Sequence, residues 1–183
     1  MSGLCSGLNY GQQCYEGMKA FRTVDGRIVV FRPKFHGARM RRSAESVILP
    51  PPPEEIFLEC VRMAVAEHAE YVPPAESGCF LYIRPMMFAA STSLWGPADE
   101  SVLAVFVHPT KPQRGEGATA AIVCDEFDRC APKGMGSYKV GGNYAPVSPL
   151  WPKIPSSPDL TVTTVLEICR KIHDDGLRCS AAP

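Results

Sequence analysis

Proline placement constrains this chain more than any other feature. Eighteen of its 183 residues are proline. Each one fixes φ and removes a backbone donor, so prolines mark where helices open and stop. Pro33 stands where a first helical turn accepts proline, and Pro50 to Pro53 close the segment it opens, giving a helix from Pro33 to about Leu49. From Glu54 to Tyr71 the residues Phe57, Cys60, Val61, Ala64, Val65 and His68 recur at three- and four-residue steps. That period predicts a second, amphipathic helix, with Glu54 and Glu55 at the positive end of its dipole and His68 as a core histidine. Pro73 and Pro74 stop it.

Between the proline marks lie strand-like runs. MKAFRTV and RIVVF flank the turn signal Asp25-Gly26, giving two short strands over 18–32. CFLYIRP (79–85), VLAVFV (102–107) and TAAIVC (119–124) are rich in β-branched and aromatic residues. Strands, then helices, then more strands imply an α+β fold with a mixed or antiparallel sheet. The polar stretch PTKPQRGEG at 109–117 suits a domain boundary. After Tyr144, prolines fall at 146, 149, 152, 155 and 158. This period of three matches a polyproline II helix, either a docking segment for an SH3-type groove or a semi-rigid linker. A last amphipathic helix follows, with Val162, Val165, Leu166, Cys169 and Ile172 on one face, Asp159 as its cap and Gly176 at its end.

Composition excludes some functions. Nineteen basic and nineteen acidic residues give a net charge of zero, against a dedicated nucleic-acid binder and against steering onto an anionic membrane. The eight cysteines include no C-x-x-C pair, and those in apolar runs, such as Cys79 and Cys124, read as reduced, buried thiols. His36, His68, His108 and His173 show no metal-ligand spacing, so no metal is expected. The N-terminus has neither a signal-peptide core nor a transit-peptide pattern, and the expected location is cytoplasmic.

The segment GMGSYKVGGNY places Lys139 among glycines at 134, 136, 141 and 142. Glycines let backbone approach a ligand closely, and a lysine in such a place can serve as a neutral amine that attacks a carbonyl. A surface turn with a solvated lysine is the alternative. The phosphate-loop pattern fails, because Tyr138 precedes Lys139 and Val140 follows it. Arg39, Arg41 and Arg42 gather with His36 on the first long helix. Such a cluster can hold a phosphate if one guanidinium turns inward; otherwise it is a solvated basic face. Tyr82 and Arg84, two apart in a strand, share one face and could present a phenol and a guanidinium to a carboxylate, or form an exposed pair at a sheet edge.

Four segments in order, YGQQCYEGMKAFR, FRPKFHGARMRRSA, LYIRPMMF and KVGGNYAP, resemble those of the branched-chain amino-acid aminotransferases. These belong to the class IV (fold type IV) pyridoxal-phosphate aminotransferases, and the resemblance spans about residues 8–147. It implies a small N-terminal α/β domain and an incomplete large β-rich domain. Lys139 matches the lysine that forms a Schiff base with pyridoxal 5'-phosphate, Arg39 the arginine on its phosphate, and Tyr144 the tyrosine near its ring hydroxyl. Tyr10 and Tyr15 match aromatic positions of the side-chain pocket, and Tyr82 and Arg84 a tyrosine and an arginine near the substrate. The implied reaction moves an amino group from leucine, isoleucine or valine to 2-oxoglutarate, and the implied assembly is a homodimer with no nucleic-acid or membrane partner.

Beyond Tyr144 the likeness fails. The family's glutamate opposite the pyridine nitrogen has no match, since Glu167 falls in a later helix-like stretch. The glycine and arginine of the family's phosphate-binding turn are missing, which leaves Thr161 or Thr163 as phosphate donors. The chain thus reads as an internally deleted and C-terminally truncated form, with impaired activity, or as a non-catalytic partner of a full-length homologue. The expected domains are 1–112 (small domain), 113–147 (start of the large domain, with the lysine), 148–159 (proline-rich linker) and 160–183 (helix and tail).

Overall fold

In a computed structural model, residues 2–92, 97–111, 128–131 and 133–153 are described. The chain divides into two units, Met1–Pro112 with Tyr138–Gly141, and Gln113–Ser137 with Gly142–Pro183. The expected strand at 119–124 and the last helix, with Thr161, Thr163 and Glu167, lie outside the described residues.

The first unit is a five-stranded antiparallel sheet packed by helices, which makes the fold α+β. A short helix α1 (Ser6–Asn9) leads into β1 (Gln13–Tyr15), β2 (Met18–Arg22) and β3 (Ile28–Val30). The turn between β2 and β3 uses Gly26 at φ 83°, a left-handed conformation that glycine adopts without strain. Helices α2 (Pro33–Ser46) and α3 (Glu54–Glu67) follow, then β4 (Phe80–Ala89) and β5 (Ser101–Thr110). Strand β4 is central. Its first half pairs with β2, its second half with β1, and its other edge pairs with β5 from Phe80↔Thr110 to Ala89↔Ser101.

Strict alternation builds the core. Leu81, Ile83, Pro85, Met87 and Ala89 of β4 are buried, as are Cys14, Met18 and Ala20 of the neighbouring strands. Helix α3 adds Phe57, Val61 and Val65, one turn apart. The two long helices meet closely at Gly37, where an added Cβ would come 3.1 Å from the Phe57 ring. Phe57 is 1% exposed, so full burial of its ring contributes about 1.5–3 kcal/mol.

Three expectations change. His68 is exposed, not a core residue: α3 ends at Glu67, and His68, at φ −118°, leaves the buried stripe and bonds through Nδ1 to the Ala64 carbonyl at 2.9 Å. A separate 3₁₀ turn covers Ala69–Tyr71. Strand β4 also runs through Pro85 to Ala89. Pro85 is tolerated at the centre of a sheet because it lies where the pairing passes from β2 to β1, and only its carbonyl is used there, accepting from the Glu16 N–H at 2.8 Å. In the second unit, Ala145–Lys153 is a 3₁₀ helix rather than polyproline II. Both helices have three residues per turn, so the proline period suits either; Pro155 and Pro158 lie outside the described residues.

Candidate active site

Lys139 belongs to the first unit, and its backbone is held from two sides. Its N–H donates to the Ser43 hydroxyl of α2 at 2.9 Å, and its carbonyl accepts from the Tyr15 N–H at 3.1 Å. Val140 is buried and forms an antiparallel bridge with Cys14. Gly141 then passes so near Gln13 that an added Cβ would lie 3.1 Å from its side chain. The lysine segment is therefore an added edge on β1, and the absence of a side chain at 141 permits the approach.

The lysine amine stands 4.4 Å from the centroid of the Tyr15 ring. The Arg84 guanidinium lies 4.6 Å from the same ring and 5.2 Å from that of Tyr82. Its Nη2 donates to the Tyr82 hydroxyl at 2.6 Å. Tyr82 and Arg84 share a face of β4, as their spacing predicts, but on the central strand rather than at an edge. Gly17 makes room for this pair, since a Cβ there would overlap the Tyr82 hydroxyl. Arg84 Nε is buried and has no hydrogen-bond partner among the described residues. A buried guanidinium N–H in that condition is suited to donating to an anionic oxygen.

Arg39 is the arginine of its cluster that turns inward; Arg41 and Arg42 are exposed. Its Nε and Nη2 donate to the two carboxylate oxygens of Glu16 at 2.5 and 2.6 Å. His36 Nδ1 lies 2.8 Å from the same carboxylate. The Glu16 side chain is 0% exposed and that of Arg39 34%. Burial pushes the Glu16 carboxyl up, but the hydrogen bonds and charges of Arg39 and His36 outweigh it and hold the group below its ordinary range. Nearby, burial and then the Glu16 charge push the Cys14 thiol up to about 12.

The structure thus brings Lys139, Tyr15, Tyr82 and Arg84 together, and ties Arg39 to them through Glu16, the residue after Tyr15. Tyr10 lies at the exposed C-terminal end of α1. Tyr144 is in the second unit, where the Arg129 guanidinium is 5.6 Å from its ring. Sequence reasoning missed Glu16 and Ser43. Glu16 had a signal: Cys14, Glu16, Met18 and Ala20 alternate onto the buried face, and a carboxylate in such a series demands a cation. Ser43 had none, because its partner is 96 positions away.

Comparison with known proteins now bears on this arrangement. The family model described as amino-transferase class IV matches residues 13–147. Aminotransferase apf4 of Gibberella fujikuroi is 48% identical over 158 residues, 86% of this chain and 42% of that protein. The branched-chain amino acid aminotransferase gloG of Glarea lozoyensis is 47% identical over 150 residues, 79% of this chain and 42% of that one. The chain spans about two fifths of the length of these curated relatives. Among solved structures, the branched-chain aminotransferase of Thermoproteus uzoniensis superposes with a TM-score of 0.62 at 25% identity, covering 79% of this chain and 47% of that one.

Proposed function

Because the chain belongs to the class IV aminotransferase family, we propose that it contributes to pyridoxal-phosphate-dependent transfer of an amino group between an amino acid and a 2-oxo acid. The observation that carries this is the placement of Lys139, with its backbone fixed by Ser43 and Tyr15 and its amine over an aromatic ring. The family works with pyridoxal 5'-phosphate, and the residues present suit that group. Arg39 offers a guanidinium that is held on one edge and 34% exposed, fit for a phosphate. Lys139 offers an amine fit for an aldehyde. When bound, the cofactor supplies the electron sink for cleavage at the substrate Cα.

The remaining work falls to the chain's own side chains. Lys139, as the neutral amine, takes the Cα proton and returns it. Tyr15 provides an aromatic wall beside that amine. Arg84, braced by Tyr82 and with its Nε unpartnered among the described residues, would take a substrate carboxylate. On this reading the substrates are leucine, isoleucine or valine with 2-oxoglutarate, in line with the name of the Glarea relative. An apolar pocket separates such neighbouring sizes by only about 10–200-fold. Tyr10 completes the side-chain pocket on this reading. The active form is a homodimer, in keeping with the exposure of Phe106 and Phe21 on the sheet.

The test is direct. Purified chain is mixed with pyridoxal phosphate, reduced with borohydride, digested and mapped by mass. The adduct is expected on Lys139 and absent from Lys139→Ala. An adduct elsewhere, or one that survives the substitution, refutes the assignment.

A further inference from the structure

We propose that Glu16 is a positioning residue: a buried carboxylate that fixes the plane of the Arg39 guanidinium so that Arg39 recognises a phosphate monoester. This rests on the reading above, in which Arg39 takes the cofactor phosphate. Glu16 engages Nε and Nη2 together, at 2.5 and 2.6 Å, which sets both the direction and the rotation of the planar group. It is itself held from several sides. Its side chain is 0% exposed, its backbone N–H is bonded to Pro85 at 2.8 Å, and His36 Nδ1 holds the carboxylate from a third direction at 2.8 Å. Arg39 is 34% exposed, so its guanidinium can be reached from solvent while Glu16 holds it.

A purely electrostatic role would act the other way. Glu16 cancels a positive charge beside the phosphate, so if charge alone mattered, neutralising Glu16 would tighten phosphate binding. Positioning demands that it loosen. The two accounts differ in sign.

The probes are pyridoxal phosphate and pyridoxal, which differ only in the phosphate. Their dissociation constants are measured on the full chain by absorbance titration, and the readout is the preference for the phosphorylated form. Glu16→Gln is expected to lower that preference about tenfold, the worth of one charge-assisted hydrogen bond, with pyridoxal binding unchanged. In an Arg39→Ala background, Glu16→Gln is expected to change nothing further, because Glu16 acts through Arg39. A preference that is unchanged or increased in Glu16→Gln overturns this inference alone. A wild-type chain with no preference overturns it together with the proposed function. Should Glu16→Gln fail to fold, as shown by loss of pyridoxal binding, His36→Ala decides: the preference must fall by about threefold, and an unaltered value refutes the proposal.

Discussion

Removing Arg39 should destabilise the chain more than removing its partner, although both deletions break the same ion pair. Arg39→Ala takes away two of the four hydrogen bonds on the Glu16 carboxylate and leaves it fully buried with only His36 Nδ1 and the Gly17 N–H, at 3.3 Å, beside it. Stripping one partner from a buried pair costs about 3–5 kcal/mol, a large share of the roughly 5–15 kcal/mol that holds a domain together. Glu16→Gln leaves a guanidinium that is 34% exposed, which water can reach. That change should cost about 1.5–3 kcal/mol, the range for a hydrogen bond to a charged group. The pH dependence has a defined sign. The Glu16 carboxyl is held below its ordinary range by Arg39 and His36 against the opposing effect of burial. Its stabilising contribution is therefore complete above the unfolded value, about 4.3, and is lost as pH falls through the folded one. Urea unfolding of both variants and the wild type at pH 7, repeated in steps below pH 5, measures this. The deficit of Arg39→Ala should be the larger at pH 7 and should shrink on acidification. Equal deficits, or a gap that ignores pH, would show that Glu16 is not a buried anion dependent on Arg39.

Two further outcomes can be checked on the same protein. Ser43→Ala leaves the Lys139 N–H without its 2.9 Å acceptor, so the variant should lose about 1–3 kcal/mol and modify Lys139 more slowly in the borohydride assay; wild-type yields would show that the serine does not anchor the lysine segment. Iodoacetamide at pH 8 should label the half-buried Cys60 and Cys79 while sparing Cys14, whose thiol is pushed up to about 12 and buried. Early mass shift on the Cys14 peptide would contradict that environment.

Local pattern made much of the fold legible. Proline marks and apolar steps located α2 and α3 because helices are bounded and periodic within one stretch of chain. The spacing of Tyr82 and Arg84 placed them on one face for the same reason. Properties that depend on distant partners were not legible. Pro85 looked like a strand end, because nothing local shows that the pairing strand changes there. His68 looked like core, because its distance from the preceding apolar residue says nothing of the helix ending one position earlier. The period-three prolines could not separate two helices that share a repeat. Glu16 passed unread although its neighbours alternate inward, since its cation comes from another element. Lys139 stood out through its glycines, but the clamp that sets its amine in place required Ser43 and Tyr15.

That clamp has a kinetic corollary. The anchors of Lys139 are supplied by β1 and α2, and Ser43 is 96 positions upstream. The lysine segment can therefore lock only onto a β1 and an α2 that already stand side by side. Chemistry at that nitrogen thereby depends on those two elements having met, and its onset during refolding would report their docking.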